Sequence, residues 1–272
     1  MLPGAVRVIA LTSTPARIGP LRALGATPLT GNLDAPLSLR RLAGIATRAL
    51  YLAPPPRDSK GDPRTRSLLR ALRLRSAPRS LVYGSTSGVY GDCGGDWVAE
   101  TRMPRPATDR ARRRLDAEQS VRALGQAGPL RTTILRIPGI YAEGRERGTP
   151  RERLFKRTPA LVPVDDVFTN HIHADDLARA CIAALWRGKP QRVFNINDDT
   201  DMKMGEYFDL AADLYRLPRP PRISREQASR ELSPMLLSFM SESRRMLNQR
   251  MKRELKLALR YPTVRSGLAA KR

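Results

Sequence analysis

The sequence predicts an α/β fold in which a parallel sheet carries helices on its faces. Apolar runs of strand length alternate with segments of helical spacing, an order typical of βαβ units. Continuous apolar runs such as residues 6–12 and 81–83 are expected of strands that are buried on both faces. At 272 residues, the chain is long enough to bury a substantial core.

The first part of the chain contains four predicted strands and three predicted helices. The strands stop where Gly, Pro or hydroxyl residues interrupt the apolar runs, as in Pro54-Pro55-Pro56. The strands are 6–12, 26–29, 48–53 and 81–83, and the helices are 18–24, 36–43 and 64–75.

The second part continues the alternation after a Gly- and Pro-containing loop at 92–108. Strands are predicted at 130–137 and 191–197, and helices at 109–124, 177–186, 203–215 and 242–257. The last helix is basic and amphipathic, and its apolar stripe is expected to pack into the core. That stripe consists of Met246, Leu247, Met251 and Leu255.

The composition is strongly basic, with a formal net charge of +23 from 49 Lys and Arg residues. Such a charge permits a nucleic-acid or acidic partner. Aromatic residues make up only 5% of the chain and do not interleave with a basic run, which argues against a stacking platform for single strands. We therefore predict a small-molecule substrate, with a nucleic-acid partner as the less favoured alternative.

Neither a membrane segment nor a metal site is predicted. No run approaches the roughly 18 apolar residues that a membrane span needs, and the start lacks the layout of a signal peptide. Cys93 and Cys181 have no metal-ligand spacing and are expected to be inert thiols. These features predict a cytoplasmic protein.

The segment Ser80–Gly91 places a hydroxyl cluster directly after a strand. Ser85, Thr86 and Ser87 lie between two glycines at its carboxyl end. Ligands of open α/β sheets bind beyond the carboxyl ends of the strands, where hydroxyls can hydrogen-bond a substrate oxygen. A polar loop with capping serines explains the pattern equally well.

Four separated motifs follow one another along the chain: STSGVYG at 85–91, LRIPGIYA at 135–142, NHIHADDLA at 170–178 and VFNINDD at 193–199. With them the chain resembles, over nearly all its length, the extended and atypical short-chain dehydrogenase/reductases, the NAD-dependent epimerase/dehydratase family. The resemblance implies a Rossmann-like doubly wound parallel sheet with a small C-terminal substrate region. Residues 1–160 would form the truncated NAD(P)-binding core, and 161–272 would complete the sheet and form the substrate lobe. The resemblance also allows a homodimer.

The resemblance also assigns roles to individual residues. Thr86 matches the hydroxyl that orients the substrate, and Asn32 matches the acceptor for the adenine amino group. Arg17 matches a ligand for the adenosine 2′-phosphate and so favours NADP over NAD, although a solvated Arg at a helix start explains it as well. The remaining matches to the cofactor site are Thr12, Ser13, Leu33, Ala53 beneath the cofactor and Pro138 near the nicotinamide.

The chain departs from the family pattern at the catalytic dyad. The family places Tyr and Lys four residues apart on one helix face, and Arg110 and Arg114 stand at the matching positions. Arg stays protonated, so Arg110 cannot act as a general base, whereas Arg114 could still hold a ribose or phosphate. The remaining candidates for proton transfer are Tyr90, Tyr141, Asp109 and His171.

His171 and His173 suggest a base or a metal pair, but the motif NHIHADDLA is expected to serve packing and helix capping. A second departure lies at the front, where the first strand and its Gly-rich turn are missing. Gly19, Gly25 and Gly31 are spaced too widely to replace that turn. We therefore expect a misassigned or truncated start at Met1, the alternative being a damaged family member that binds the dinucleotide poorly.

These observations predict an NAD(P)-binding protein of the epimerase/dehydratase type, an oxidoreductase or epimerase whose Tyr-Lys dyad is replaced by Arg110 and Arg114. The alternative is a cofactor-sensing or scaffolding protein that has lost the chemistry. A basic nucleic-acid-binding protein is the lesser alternative.

Overall fold

The structure, a computed structural model, describes residues 6–145 and 148–270. Met1, on which the expectation of a truncated start depends, lies outside the described residues. The strands are β1 (Ile9–Thr12), β2 (Thr27–Thr30), β3 (Arg48–Tyr51), β4 (Ser80–Thr86), β5 (Trp97–Val98), β6 (Arg131–Ile137), β7 (Gly139–Tyr141), β8 (Ala160–Leu161), β9 (Phe168–Thr169), β10 (His171–His173), β11 (Arg192–Asn195), β12 (Met202–Lys203), β13 (Arg222–Ile223) and β14 (Arg245–Met246).

The helices alternate with these strands, as the sequence predicts. The α-helices are α1 (Ile18–Ala23), α2 (Pro63–Arg73), α3 (Asp109–Gln126), α4 (Arg151–Phe155), α5 (Ala174–Arg187), α6 (Met204–Tyr215), α7 (Arg225–Glu231), α8 (Pro234–Phe239), α9 (Gln249–Glu254) and α10 (Val264–Ala269). Short 3-10 helices cover Pro15–Arg17, Pro36–Leu42 and Ser87–Tyr90.

The main sheet has four parallel strands in the order β11-β6-β4-β3. Its register pairs Thr86 of β4 with Ile137 of β6, and Tyr83 of β4 with Tyr51 of β3. The carboxyl ends of these strands therefore meet at one edge. Strands β1 and β2 form a separate parallel pair. The predicted Rossmann-like α/β fold with parallel sheets is confirmed.

Helices cover both faces of the main sheet. Successive side chains of a strand point to opposite faces, so neighbouring residues of β4 pack against different helices. Leu81 and Tyr83 of β4 pack with α2 and α3, whereas Val82 packs with α5 and α9. Within the described part of the chain, β3 leaves one edge of the sheet unpaired, and Leu50 and Leu52 there are 41% and 47% exposed.

The predicted helix at 242–257 is wrong over its first half. Residues 245–246 form β14, which pairs with β5, and only Gln249–Glu254 is α-helical. The backbone N–H groups of Arg245 and Met246 donate to Asp96 O and Asn170 Oδ1, so tertiary hydrogen bonds replace helical ones. The stripe is buried as predicted at Met246, Met251 and Leu255.

The described part of the chain has no helix that is both long and apolar enough to span a bilayer. Cys93 and Cys181 are free and buried, and burial raises the pKa of both thiols, that of Cys181 to about 12. A thiol with a raised pKa is a poor nucleophile, which agrees with the expectation of inert cysteines.

A buried ion pair ties α3 to the main sheet. Glu118 of α3 accepts hydrogen bonds from Arg136 Nε (3.1 Å) and Nη2 (2.8 Å) of β6. Ser85 Oγ donates to the same carboxylate at 2.6 Å. The Arg136 guanidinium also lies 4.6 Å from the ring centroid of Tyr90. The position of α3 along the carboxyl edge of the sheet is therefore fixed by charge as well as by packing.

Substitution of Glu118 by Gln is expected to lower the free energy of unfolding by about 3 kcal/mol, because Arg136 would stay buried with its charge uncompensated. Urea unfolding followed by circular dichroism measures the change. A loss below about 1 kcal/mol would contradict this role of the pair.

Glu226→Gln is the matched control. Glu226 pairs with Arg230 on the surface of α7, where the two side chains are 75% and 73% exposed. Exposed pairs contribute little, so this variant should unfold within about 0.5 kcal/mol of the parent protein.

Candidate active site

A cavity of about 320 Å³ opens at the carboxyl edge of the main sheet, and we call it the central cavity. Its lining residues lie within 86–88, 108–114, 138–139, 168–170 and 238–244, together with Met204. The end of β4, the start of α3 and the segment after α8 therefore face one another. Thr86, Arg110, Arg114 and Pro138, four of the predicted site residues, line this cavity.

Thr86 is the hydroxyl of the Ser85–Ser87 cluster with the most accessible position. Its Oγ1 accepts a hydrogen bond from Gly88 N (3.2 Å) and so caps the short helix Ser87–Tyr90. Ser85 is buried against Glu118, and Ser87 is a buried residue at the cavity wall. Thr86 therefore caps a helix and also lines a cavity, and its contact with a substrate stays a prediction.

Arg110, Arg114 and Glu118 share one face of α3, because residues four apart on a helix are neighbours. Thr108 starts this helix by accepting a hydrogen bond from Ala111 N at 3.2 Å. The face then runs from the cavity at Arg110 to the buried ion pair at Glu118.

Arg114 binds the ends of two strands. Its Nη1 lies within hydrogen-bond distance of Gly84 O (2.8 Å), Ala53 O (3.1 Å) and Tyr83 Oη (3.1 Å). Arg110 has no such anchor, and its guanidinium lies 4.9 Å from the ring centroid of Phe239 in α8. Arg114 thus has a structural role, while Arg110 presents a charge to the cavity.

A second depression of about 650 Å³ adjoins the end of β3, and we call it the arginine cleft. It shares Arg110 and Arg114 with the central cavity. Asp34 in its wall pairs with Arg64, which holds the pKa of that carboxyl below its ordinary value. Its full lining is Asp34, Pro54, Pro55, Pro56, Arg57, Asp58, Arg64, Arg110, Arg113 and Arg114.

The other predicted cofactor residues line neither cavity. Thr12 Oγ1 accepts from Thr14 N at 3.1 Å, and Asn32 Oδ1 accepts from Asp34 N at 2.9 Å, so both side chains already stabilise turns. Ser13 and Arg17 are exposed. Leu33 packs against the core, and Ala53 offers its carbonyl to Arg114. Their contacts with a cofactor stay predictions.

None of the four remaining candidates for proton transfer lines the central cavity. Tyr90 is buried and its hydroxyl donates to Asn195 Oδ1 at 2.7 Å. Tyr141 donates to Thr263 O at 3.3 Å, and Asp109 pairs with Arg112 on the surface. His171 is buried, which lowers its pKa to about 4.

The two histidines of NHIHADDLA serve packing and capping. The ring of His171 stacks on Tyr207 with centroids 4.2 Å apart, and His173 Nδ1 accepts from Asp175 N at the start of α5. The described residues contain no group of three His, Cys, Asp or Glu side chains that could hold a metal.

Sequence reasoning missed two charged residues of the central cavity, Glu242 and Arg244. They form an ion pair with an N–O distance of 2.8 Å and side chains that are 10% and 12% exposed. The sequence placed them at the start of a helix, so nothing brought them near Thr86. The signal that could have found them is the pair of opposite charges in the short polar segment 241–244.

The chain is similar to one solved structure over nearly its whole length and to a family profile over its central part. A conserved protein of unknown function from Silicibacter pomeroyi DSS has 33% identical residues and a TM-score of 0.80, with 98% of this chain and 90% of that chain covered. The sequence profile described as "NAD dependent epimerase/dehydratase family" matches residues 64–197. The chain belongs to the NAD-dependent epimerase/dehydratase family.

More distant structures share the fold. MoeE5 in complex with UDP-glucose and NAD is 19% identical, with a TM-score of 0.73 and coverage of 97% of this chain and 96% of that one. RMD from Pseudomonas aeruginosa, complexed with NADPH, is 18% identical, with a TM-score of 0.73 and 97% of each chain covered. No curated protein matches the chain in sequence.

The buried carboxyl of Asp198 leads us to predict that the stability of the protein depends on pH. The backbone N–H of Asp198 donates to the carbonyl of His171. Burial raises the pKa of its carboxyl from 3.8 to about 7, so the folded state binds a proton more tightly than the unfolded state. The contribution of the Asp198 carboxyl to the free energy of unfolding is therefore lost as pH rises from about 4 to about 7. Burial of His171 acts in the opposite direction over much of this range.

Substitution Asp198→Asn is expected to stabilise the protein relative to its parent by more than about 1 kcal/mol at pH 8, and by progressively less towards pH 4. Thermal melts of both proteins at each pH measure the difference, in which the effect of His171 cancels. A difference that is constant with pH, or largest at pH 4, would contradict the raised pKa.

Proposed function

We propose that the chain binds a nicotinamide dinucleotide along the carboxyl edge of the main sheet and acts on a small molecule as an oxidoreductase or epimerase. One observation carries the proposal. The central cavity and the arginine cleft meet at Arg110 and Arg114, so a ligand can extend from Thr86 into a cationic cleft. Structural neighbours complexed with NAD and NADPH support this cofactor class.

The chemistry of the cleft fits the phosphate groups of such a cofactor. Guanidinium groups bind phosphate through paired N–H donors, and the cleft has five arginines beside two aspartates. The Nε of Arg113 is buried without a hydrogen-bond partner in the described structure. In this proposal, arginine side chains of the cleft hold the phosphates.

The residues of the central cavity would orient the substrate. A bound nicotinamide cofactor supplies hydride transfer. The hydroxyl of Thr86 donates to a substrate oxygen, because no other acceptor for its proton is found in the described structure. Arg110 remains a cation and stabilises negative charge on the substrate without removing a proton.

A cofactor-binding protein without turnover is the second candidate. The observation in its favour is that no tyrosine lines the described walls of the central cavity, while Arg110 and Arg114 do. Absorbance at 340 nm distinguishes the two candidates. Turnover with any member of a carbonyl and sugar-nucleotide panel supports the enzyme, whereas dinucleotide binding without turnover across the panel supports the second candidate.

The variant Arg113→Ala is expected to bind NADP about tenfold more weakly, because it removes a charge-assisted hydrogen-bond donor to phosphate. Isothermal titration calorimetry at fixed salt measures the affinity. The matched control is Arg70→Ala, on an exposed position of α2 away from the cleft, which should bind as the parent does. Equal losses in both variants, or binding of neither dinucleotide by the parent, would contradict the proposed site.

The role of Arg17 is tested by comparing the affinities of the protein for NADP and NAD. We propose that its guanidinium binds the 2′-phosphate of NADP, since Arg17 is exposed after β1 and no side-chain hydrogen bond is found for it in the described structure. Arg17→Ala should lower the affinity for NADP about tenfold and leave the affinity for NAD unchanged. If both affinities fall together, or neither changes, Arg17 does not select the phosphate.

A further inference from the structure

Glu242 is the one carboxylate among the described residues that line the central cavity, and the proposed function does not use it. Its side chain is 10% exposed. Oε2 accepts a hydrogen bond from Arg244 Nη1 at 2.8 Å, whereas Oε1 is buried without a partner in the described structure. Half of this carboxylate therefore keeps its capacity to accept a hydrogen bond.

The segment that carries Glu242 is held firmly on both sides. Ser243, the next residue, donates from its N to Asp92 Oδ1 at 2.7 Å and accepts at Oγ from Phe168 N at 3.0 Å. Its carbonyl accepts from the N–H groups of Cys93 and Gly95. Glu242 is therefore positioned before any ligand arrives, which reduces the entropy lost on binding.

Arg244 fixes the orientation of the carboxylate. Its Nη1 also donates to Gly91 O at 2.8 Å, and its carbonyl accepts from Asn170 Nδ2 at 2.9 Å. Because Oε2 is held by this anchored guanidinium, rotation of the carboxylate is restricted. Oε1 is the oxygen left for a ligand.

A buried carboxylate oxygen without a donor costs free energy, and a ligand that supplies a donor removes that cost. A phosphate or carboxylate cannot do so, because it would repel Glu242. A hydroxyl can, while an anionic group of the same ligand pairs with Arg110, which lines the same cavity. The charges of the cavity thus favour a ligand that carries both a hydroxyl and an anionic group.

We propose that Glu242 is a specificity-determining residue whose Oε1 accepts a hydrogen bond from a substrate hydroxyl in the central cavity. The proposal rests on the proposed function for the location of the site. It adds that the ligand is a hydroxylated anion and that Arg244 positions the acceptor.

Two phosphate monoesters of equal charge and similar ring size test the proposal, namely glucose 1-phosphate and cyclohexyl phosphate, which has no ring hydroxyls. Each is titrated by calorimetry into the full chain saturated with NADP. The parent should bind glucose 1-phosphate at least about tenfold more tightly. Glu242→Gln should remove most of this preference, because a neutral amide oxygen is a weaker acceptor than a carboxylate, and it should not weaken the binding of cyclohexyl phosphate, because a negative charge is removed.

Glu242→Asp, which keeps the charge but shortens its reach, should also lose the preference, and it serves as the second variant if the Gln protein does not fold. Glu226→Gln on the surface should keep it. The proposal is overturned if the parent binds neither probe, if it binds both equally, or if the Glu242 variants keep the preference. The titration with NADP itself tests the proposed function separately, since Glu242 lies outside the arginine cleft.

Discussion

The buried contact of Glu118 with Arg136 and Ser85 fixes how α3 lies on the sheet, and the arrangement of the candidate site depends on that placement. One helical turn before Glu118, Arg114 binds the carbonyls at the ends of β3 and β4. One turn earlier, Arg110 reaches the central cavity. A single helix face thus links the core to the cavity in steps of four residues.

The placement of α3 also determines which charged groups lie at the carboxyl edge of the main sheet. A Tyr-Lys pair on this face could move a proton and hold a ribose, whereas two arginines remain cations at any working pH. These two cations line both of the depressions that adjoin at the carboxyl edge of the main sheet. A hydrogen-bond acceptor for a ligand must then come from outside α3, and Glu242 is the described cavity carboxylate with an oxygen that has no partner.

Much of the fold and part of the site follow from the sequence. Strands β4 and β6 are apolar runs that end at hydroxyls or Pro, so the positions of Thr86 and Pro138 at one edge could be predicted from the parallel arrangement. The face of α3 follows from helical spacing. The bonds of Arg114 to three oxygens could not be predicted, because they depend on how far β3 and β4 extend.

Glu242 was missed for a different physical reason. The apolar period of 246–255 resembles a helix, but Asn170 and the segment 96–98 hold the backbone of residues 245–247 in an extended form. Tertiary hydrogen bonds between residues more than 70 positions apart decided the local structure. The apolar period of a sequence indicates which side chains are buried. Here it predicted the burial of Met246 and Met251 correctly, but it did not determine the backbone conformation.

The most direct test of the account is a crystal structure of the full chain soaked with NADP. The account predicts dinucleotide phosphates within hydrogen-bond distance, about 3 Å, of the Arg113 or Arg114 guanidinium and the nicotinamide beside Thr86 and Pro138. A dinucleotide bound away from the arginine cleft, or phosphates held by backbone N–H groups alone, would contradict it.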